Sequence, residues 1–293
     1  MHSLRVPKVT VIMPCYNAER YVSQALESVL AQNYHDFQVV VGNDGSTDNT
    51  ASILEQFSDR VKIVNHPDAG NHGQAATYNL CLQHAESEYI AFIDNDDLWE
   101  PDKLQRQVDI LDRHPEVGLV YANGDIINAD DKVLYLFLGP QHEETNRIGQ
   151  ILLDCYIRTP STVMVRHEIL KQAGDFKIGI VPDHDMWIRI KELTDFYYIN
   201  DKLFKYRVHE QQLSQKSAEK MWRDGFGTLE RALKRYPYPV NIRRKRLAVI
   251  HYRLAELGKK TRTIRLLPHI FFAVFYDPLR ALRTLKEALV RGQ

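Results

Sequence analysis

Three carboxylates follow directly on a short apolar run in the first third of the chain. Residues 89–93 (YIAFI) are apolar at consecutive positions and lead into Asp94, Asn95, Asp96 and Asp97. Because alternate side chains of a strand point to the same side, Asp94 and Asp96 are expected to converge. Two convergent carboxylates form a hard oxygen site of the kind that magnesium and manganese prefer, and a cation held there could neutralise a diphosphate. The alternative is that these acids lie in a solvated turn or cap the next helix.

A second polar segment follows another apolar run, at residues 41–48 (VGNDGSTD). Asp44 falls at the tip of the predicted strand, whereas Ser46, Thr47 and Asp48 are placed to cap the helix that follows. An ionised carboxylate only accepts hydrogen bonds, so Asp44 suits the N3–H of uracil, a donor that cytosine lacks. The alternative for Asp44 is a purely structural Asp-Gly turn.

The order of the predicted elements places both segments at the ends of strands. Strands are predicted at residues 9–13, 37–41, 61–64, 89–93 and 117–121, and apolar residues at helical spacing predict helices at 22–30, 53–57, 75–82 and 104–111. This alternation is typical of parallel βαβ units, whose ligands gather at the carboxyl ends of the strands. Further along, the patterns predict a hairpin around residues 130–131, a helix at 184–193, and strands at 161–165, 196–199 and 204–208. We therefore predict one α/β domain over residues 6–210.

The last part of the chain has a different composition. From residue 215 the pattern indicates long helices, with Pro237, Pro239, Pro268 and Pro278 as predicted breaks. Residues 211–293 hold 19 Lys and Arg against 6 Asp and Glu, so the rest of the chain holds 38 − 19 = 19 basic and 38 − 6 = 32 acidic residues. This asymmetry predicts a separate basic, helical C-terminal region with partners of its own.

Composition narrows the class of protein. An apolar fraction of 44% and a charged fraction of 26% are ordinary for a globular protein. The three cysteines, Cys15, Cys81 and Cys155, indicate neither a disulfide framework nor a zinc cluster, which suits a reducing, cytoplasmic setting. The N-terminus has no apolar signal core, and the longest apolar tract, residues 270–276, is far shorter than a spanning helix.

Four segments, taken in order, resemble the signatures of family 2 glycosyltransferases: residues 11–19 (VIMPCYNAE), 43–48 (NDGSTD), 71–79 (NHGQAATYN) and 94–97 (DNDD). The resemblance covers about two thirds of the chain. It implies the A-type glycosyltransferase fold, a Rossmann-like and mostly parallel central sheet flanked by helices, here with a C-terminal helical extension. It also implies a nucleotide-sugar donor, for which UDP-sugar is favoured, and Mn²⁺ or Mg²⁺ as cofactor.

The same resemblance assigns roles to the motif residues. Asp96 would bind the metal ion, with Asp94 contacting the ion, the ribose or the sugar. The remaining residues of the predicted nucleotide-sugar site are Pro14, Tyr16, Asn17, Glu19, Asp44, Gly73, Gln74 and Asn95.

Two later segments resemble acceptor-side and metal-side motifs of the family. Residues 174–176 (GDF) followed by 183–189 (DHDMWIR) place Asp183 where the family has its general base, although Pro182 replaces the first acid of the usual pair. Asp185 would support the helix start or the acceptor, or would simply suit the helix dipole. In residues 206–214 (YRVHEQQLS), His209 is a candidate third metal ligand, the alternative being an ordinary surface histidine.

These assignments predict an inverting transfer in a single displacement. An acceptor hydroxyl would attack the anomeric carbon, Asp183 would take its proton, and the nucleoside diphosphate would leave from the opposite face. Glycans and lipid-linked glycans are the expected acceptors, in cell-surface polysaccharide synthesis. The alternatives are a sugar nucleotidyltransferase, which would need a Gly-rich basic loop after the first strand, and a non-enzymatic glycan-binding protein, which would not need the acids.

The basic C-terminal region has three interpretations. Basic residues alternate with apolar ones such as Phe271, Phe272 and Phe275, which suggests a helix lying on an anionic membrane, at the inner face of the cell membrane. Helices packed on the catalytic domain with a solvated basic face are the alternative. Nucleic acid is not an expected partner, because no nucleic-acid-binding motif accompanies the charge.

Overall fold

The computed structural model describes residues 6–142, 146–178, 182–212, 217–260 and 266–280. The chain divides into two compact units. The first comprises Met1–Asn146 and Tyr156–His209, and the second comprises Arg147–Cys155 and Glu210–Gln293. Residues 147–155 thus group with the C-terminal part of the chain, whereas the sequence patterns place them in the first domain. The basic and apolar residues Arg262, Arg265, Leu282, Arg283, Leu285 and Lys286 lie outside the described residues.

The first half of the first unit is a parallel α/β structure. Its strands are β1 (Val9–Cys15), β2 (Phe37–Asn43), β3 (Lys62–Asn65) and β4 (Tyr89–Phe92), in the spatial order β3-β2-β1-β4. All three pairings in this half are parallel. The intervening helices are α1 (Val22–Leu30), α2 (Thr50–Glu55) and α3 (Gln74–Leu82), and α4 (Lys103–Arg113) follows β4. The carboxyl ends of β1, β2 and β4 therefore meet at one edge of the sheet.

The second half of the sheet is mixed. It contains β5 (Leu98–Trp99), β6 (Val117–Ile127), β7 (Val133–Leu136), β8 (Val163–Arg166) and β9 (Asp195–Arg207), and its helices are α6 (His167–Ala173) and α7 (Pro182–Lys191). β8 lies antiparallel between β4 and β6, whereas β6 and β9 are parallel. The predicted α/β class is confirmed, and β6 and β7 form the predicted hairpin.

Close packing on both faces explains why the N-terminal strands are continuously apolar. All seven residues of β1 are buried, as expected for a sheet covered on both sides. Gly42 on β2 lies against α3: an added Cβ would lie 2.5 Å from Cγ2 of Thr77 and 2.7 Å from Sγ of Cys81. Glycine at this position lets α3 approach the sheet closely enough to bring its N-terminus to the strand ends.

Two predicted boundaries are wrong in ways that affect the site. The strand predicted at residues 161–165 begins at Val163, because Pro160–Thr162 form a 3₁₀ turn whose first residue is a proline without a backbone N–H. The strands predicted at 196–199 and 204–208 are one strand, β9, which remains paired with β6 across irregular register near Asn123. Its end carries Arg207 back toward β4.

The second unit is helical. It contains α5 (Ile148–Leu153), α8 (Ala218–Arg235), α9 (Val240–Lys260) and α10 (Leu266–Tyr276). Pro237 and Pro239 separate α8 from α9 as predicted, whereas Pro268 lies in the first turn of α10, where a missing N–H is tolerated, and does not break it. Among the described residues, no helix is long and apolar enough to cross a membrane.

Candidate active site

Asp94 is the second residue after β4, and three side chains hold it in position. Its Oδ2 accepts a hydrogen bond from the Thr159 hydroxyl at 3.0 Å, and its Oδ1 lies 3.3 Å from both Nε2 of Gln74 and the hydroxyl of Tyr78. Burial, together with the nearby Asp96 carboxylate, raises the pKa of Asp94 to about 7. Asp94 is therefore fixed in position at the strand end, with α3 on one side and the 3₁₀ turn on the other.

Asp96, two residues on, contacts His209, the second residue after β9. Nε2 of His209 lies 2.9 Å from Oδ2 of Asp96, and the two side chains are 11% and 20% exposed. The ring of Tyr21 lies against the imidazole, with centroids 5.1 Å apart. The structure thus brings together two of the three predicted metal ligands. A carboxylate oxygen and an imidazole nitrogen are both groups that can ligate a divalent cation.

The described residues contain no group of three or more histidines, cysteines or acids arranged around a common cation position. Asp94 and Asp96 share the same short segment, but Asp94 is bonded to Thr159, Gln74 and Tyr78, whereas Asp96 is bonded to His209. The strand alternation that predicted their convergence ends at Phe92, and the turn that follows sends the two side chains to different partners.

Asp97 is a buried structural acid. One of its oxygens accepts from Ser161 at 2.5 Å and lies 3.1 Å from the Thr159 hydroxyl, and the other accepts the backbone N–H of Arg207 at 2.9 Å. Burial, followed by the charges of Asp96 and Asp94, raises the pKa of Asp97 well above its ordinary range. The Thr159 hydroxyl lies within hydrogen-bond distance of both Asp94 and Asp97, and its one proton can be donated to only one of them at a time.

The sequence analysis assigned no role to Arg207, Thr159 or Ser161, although Arg207 stands in the 206–214 segment. Arg207 is fully buried, donates from Nε to the backbone oxygen of Asp96 at 2.8 Å, and pairs with Asp131. For Thr159 and Ser161, the only signal in the sequence is the clustering of hydroxyl residues around Pro160, directly before an apolar strand. Their partners lie more than 60 positions away along the chain, so only the fold reveals the contact.

Asp44 is 3% exposed at the end of β2 and anchors the loop before α3. Its Oδ1 accepts the backbone N–H of His72 at 2.7 Å and its Oδ2 accepts that of Gly73 at 2.9 Å. Gly73 has φ +83°, a conformation that favours glycine. Since Gln74 reaches Asp94 from the next position, the loop links the acid after β2 to the acid after β4.

The loop after β1 is tied to the loop after β2. Oδ1 of Asn17 accepts from the Thr47 N–H at 2.8 Å, and the Glu19 carboxylate accepts from the N–H and the side chain of Asn49 at 3.0 and 2.9 Å. Tyr16, which directly precedes Asn17 in the loop after β1, is 48% exposed. Asn17 and Glu19 therefore fix the loop after β1 against the loop after β2.

The prediction that Ser46, Thr47 and Asp48 all cap α2 holds for Asp48 alone. Its Oδ1 accepts the Thr50 N–H at 2.9 Å. Ser46 instead accepts the backbone N–H of Asn17 at 3.1 Å. Pro14 is buried, and its carbonyl accepts from the side chain of Asn95 at 2.8 Å, which joins the end of β1 to the end of β4.

Asp183 lies in the first turn of α7 and is partly exposed. Burial raises its pKa to about 6, and its charge raises the pKa of Tyr78 and of Asp94. The predicted general base thus acts electrostatically on the acid after β4. Residues 179–181, directly before α7, lie outside the described residues.

Asp185, two residues after Asp183, is a structural residue. It is 1% exposed and forms a 2.9 Å ion pair with Arg189, whose guanidinium also donates to the carbonyls of Gly174 and Asp175. Asn79 of α3 bonds both the N–H and the carbonyl of Phe176, at 2.8 and 3.0 Å. The 174–176 motif is thereby fixed between α3 and α7.

Comparison with known proteins agrees with this architecture. The sequence model of Glycosyl transferase family 2 matches residues 10–174. The chain is 31% identical over 240 residues to UDP-Glc:alpha-D-GlcNAc-diphosphoundecaprenol beta-1,3-glucosyltransferase WfgD of Escherichia coli, covering 80% of this chain and 91% of WfgD. It spans less than two thirds of the length of several other curated relatives.

Two solved structures share the fold. TarS 1–349 of S. aureus, in complex with UDP-GlcNAc, has a TM-score of 0.61 at 21% identity, covering 85% of this chain and 71% of that one. The mannosyltransferase PcManGT from Pyrobaculum calidifontis, in complex with GDP-Man and Mn²⁺, has a TM-score of 0.61 at 19% identity, covering 98% and 86%. The fold is therefore the A-type glycosyltransferase fold, and the chain belongs to glycosyl transferase family 2.

Proposed function

We propose that the protein transfers a sugar from a UDP-sugar to a hydroxyl group of a glycan or lipid-linked acceptor, with inversion at the anomeric carbon. Residues 6–210 are the proposed catalytic domain and residues 211–293 a basic helical region. The observation that carries the proposal is Asp183, a partly exposed carboxylate with a pKa of about 6 that acts electrostatically on Asp94. Such a group is ionised at neutral pH yet basic enough to accept a proton.

The proposed reaction is a single displacement. The acceptor oxygen forms a bond to the anomeric carbon while the bond to the diphosphate breaks, and the proton of the acceptor hydroxyl passes to Asp183. Opposite faces of the sugar receive the nucleophile and release UDP, so configuration inverts. Asp94 and Asp97 are held on the donor side by Thr159 and do not take part in this proton transfer.

The residues present fit a divalent cation. Asp96 and His209 would hold it, because their oxygen and nitrogen face each other at 2.9 Å and are partly accessible. Asp94 is the other predicted ligand. When bound, Mn²⁺ or Mg²⁺ supplies positive charge against the leaving diphosphate.

The donor site is proposed at the ends of β1, β2 and β4. Tyr16 is exposed there. Oδ1 of Asp44 accepts the His72 N–H and lies 3.3 Å from Nε2 of His66, whereas Oδ2, bonded to the Gly73 N–H, has a second lone pair for the N3–H of uracil. Two similar proteins support a UDP-sugar as donor. TarS was solved in complex with UDP-GlcNAc, and WfgD is named as an enzyme that uses UDP-Glc. The remaining proposed donor-site residues are Pro14, Asn17, Glu19, Gly73, Gln74 and Asn95.

The acceptor is proposed to be a lipid-linked glycan in cell-surface polysaccharide synthesis. The similarity to WfgD, a glucosyltransferase whose name specifies a diphosphoundecaprenol acceptor, supports this proposal. Such an acceptor places the proposed site of action at the inner face of the cell membrane.

Calorimetry of UDP binding with and without Mn²⁺ tests the proposal. We expect the intact protein to bind UDP more tightly with Mn²⁺, and Asp96→Ala to lose that gain. Asp59→Ala removes a 78% exposed carboxylate and serves as the matched control. If the intact protein binds UDP in neither condition, the uracil role of Asp44 and the UDP-sugar donor are both wrong. Metal-dependent binding would be followed by screening UDP-sugars for transfer and hydrolysis.

A further inference from the structure

Helix α10 presents an uninterrupted apolar surface. Residues 266–276 (LLPHIFFAVFY) contain no Asp, Glu, Lys or Arg. Five of its apolar side chains are between 43% and 63% exposed: Leu267, Ile270, Phe271, Val274 and Phe275. Single exposed apolar residues are normal on a protein surface, but contiguous apolar patches mark interaction sites.

The exposed side chains form one stripe because of their spacing. Leu267, Phe271, Val274 and Phe275 stand at i, i+4, i+7 and i+8, which is one face of a helix. The opposite face packs on α9, where the ring of His251 lies 5.1 Å from His269, 5.0 Å from Phe272 and 5.9 Å from Tyr276. The helix is thus held by one face and presents the other outward.

Positive charge lies near this stripe on α9 and flanks it along the sequence. Arg243, Arg244 and Lys245 of α9 are exposed, and Arg244 donates to the backbone oxygen of Phe275 at 3.4 Å. Along the sequence the helix is preceded by Lys259, Lys260, Arg262 and Arg265 and followed by Arg280, with Asp277 the only acid between residues 257 and 286.

This combination identifies the kind of partner. An apolar face bordered by cations is the pattern of a helix that lies in the interface of an anionic bilayer. A second copy of the same surface would bring the two sets of cations together, which opposes self-association. With 11 residues, α10 is about 16 Å long, which suits lying in the interface and not crossing it.

We infer that α10 binds the surface of an anionic membrane, with Leu267, Phe271, Val274 and Phe275 among the acyl chains. The inference deepens the proposed function and rests on it only for the lipid-linked acceptor. Binding to the membrane itself needs neither donor nor acceptor.

Sedimentation of the full chain with lipid vesicles tests the inference. We expect binding to vesicles of phosphatidylcholine and phosphatidylglycerol, weakened by salt, and little binding to phosphatidylcholine alone. Phe271→Glu with Phe275→Glu should weaken binding at least about a hundredfold, because burial of one phenylalanine changes an equilibrium constant by roughly tenfold or more. Val133→Glu with Tyr135→Glu, at similarly exposed positions of β7, should leave it unchanged. Arg243→Ala with Arg244→Ala should weaken binding to the anionic vesicles alone.

Several outcomes would overturn the inference. One is that the intact chain stays in the supernatant with anionic vesicles; another is that the α10 double variant sediments as well as the intact chain. A dimer in light scattering that the α10 variant dissociates, without vesicle binding, would assign the stripe to a second copy. UDP binding measured on the same variants separates the two proposals, because a variant that binds UDP but not vesicles leaves the transferase proposal intact.

Discussion

Nε2 of His209 lies 2.9 Å from Oδ2 of Asp96, although the two residues are 113 positions apart. The contact forms because β9 runs the length of β6 and ends beside the turn after β4, where Arg207 bonds the backbone of Asp96. The end of β9 thus places the imidazole of His209 against the carboxylate of Asp96 after β4. Arg207 is a positioning residue for this contact, since it fixes the backbone from which Asp96 projects.

His209→Ala tests whether this pair holds the cation. We expect metal-dependent UDP binding to weaken by at least about tenfold, since even outer partners of metal ligands contribute on that order. Binding without metal should be unchanged. Calorimetry with and without Mn²⁺ measures both, with His35→Ala, an exposed histidine, as control. Equal weakening with and without metal would instead indicate a direct contact between His209 and the nucleotide.

Asp183→Asn tests the general base. The amide cannot accept the acceptor proton, so we expect kcat to fall by about 10²–10⁴-fold while UDP binding is retained. In the intact enzyme the rate should rise with pH and level off above about 6, because burial raises the pKa of Asp183 to about 6 and only the ionised form is a base. Steady-state kinetics between pH 5 and 8 measure both effects. An unchanged kcat would exclude Asp183 as the base.

Burial of Asp183 also predicts that the free energy of unfolding decreases with rising pH, whereas the catalytic rate increases. The pKa of Asp183 is raised from 3.8 to about 6 by folding, so its neutral form is the one that the folded state favours. Its contribution to the free energy of unfolding is therefore fully present below about pH 4 and is lost as pH rises toward 6. Activity should increase over the range in which this contribution to stability decreases.

Asp185→Asn should behave differently from Asp183→Asn, although the positions are two apart. Asp185 and Arg189 are almost fully buried, so removing one charge leaves the other uncompensated, and we expect a loss of about 3–5 kcal/mol in the free energy of unfolding. Urea denaturation measures it. Asp109→Asn breaks the exposed i,i+4 pair with Arg113 and should cost less than about 1 kcal/mol. Equal losses for both variants would contradict the structural role of Asp185.

The sequence predicted the elements that depend on local pattern. The strands β1, β2 and β4 were predictable because both faces of the sheet are covered and most of their residues are apolar. The acids at their ends followed from chain order alone. His209 and Asp183 were proposed as candidates through family motifs. The spacing of residues along the sequence predicted neither how far these two residues lie from the other candidate site residues nor which side chains surround them.

Contacts across long sequence separations were not predictable. Thr159 and Asp94 are 65 positions apart, and Ser161 and Asp97 are 64 apart, so nothing local distinguishes their hydroxyls from others. Asn17 and Glu19 were predicted to face the nucleoside, and their bonds to Thr47 and Asn49 depend on how two loops meet. Residues 147–155 likewise lack any local pattern that assigns them to the second unit.

Gly73→Ala tests whether the loop before α3 depends on backbone conformation alone. Gly73 has φ +83° and ψ 162°, yet an added Cβ would meet no atom within 4 Å. The cost should therefore come entirely from the backbone, about 1–3 kcal/mol in the free energy of unfolding. Because the Gly73 N–H bonds Asp44, we also expect weaker UDP binding.

Gly139→Ala is the matched control for this substitution. An added Cβ there also meets no atom within 4 Å, but Gly139 is not among the described glycines with positive φ, so the change in stability should stay within about 0.5 kcal/mol. Urea denaturation and UDP calorimetry of both variants measure the two effects. If Gly73→Ala matches Gly139→Ala in both, the loop tolerates an L-residue, and the bonds from Asp44 to His72 and Gly73 do not require the left-handed backbone. If Gly73→Ala loses stability and UDP affinity together, the conformation of this one glycine links Asp44 to the donor site.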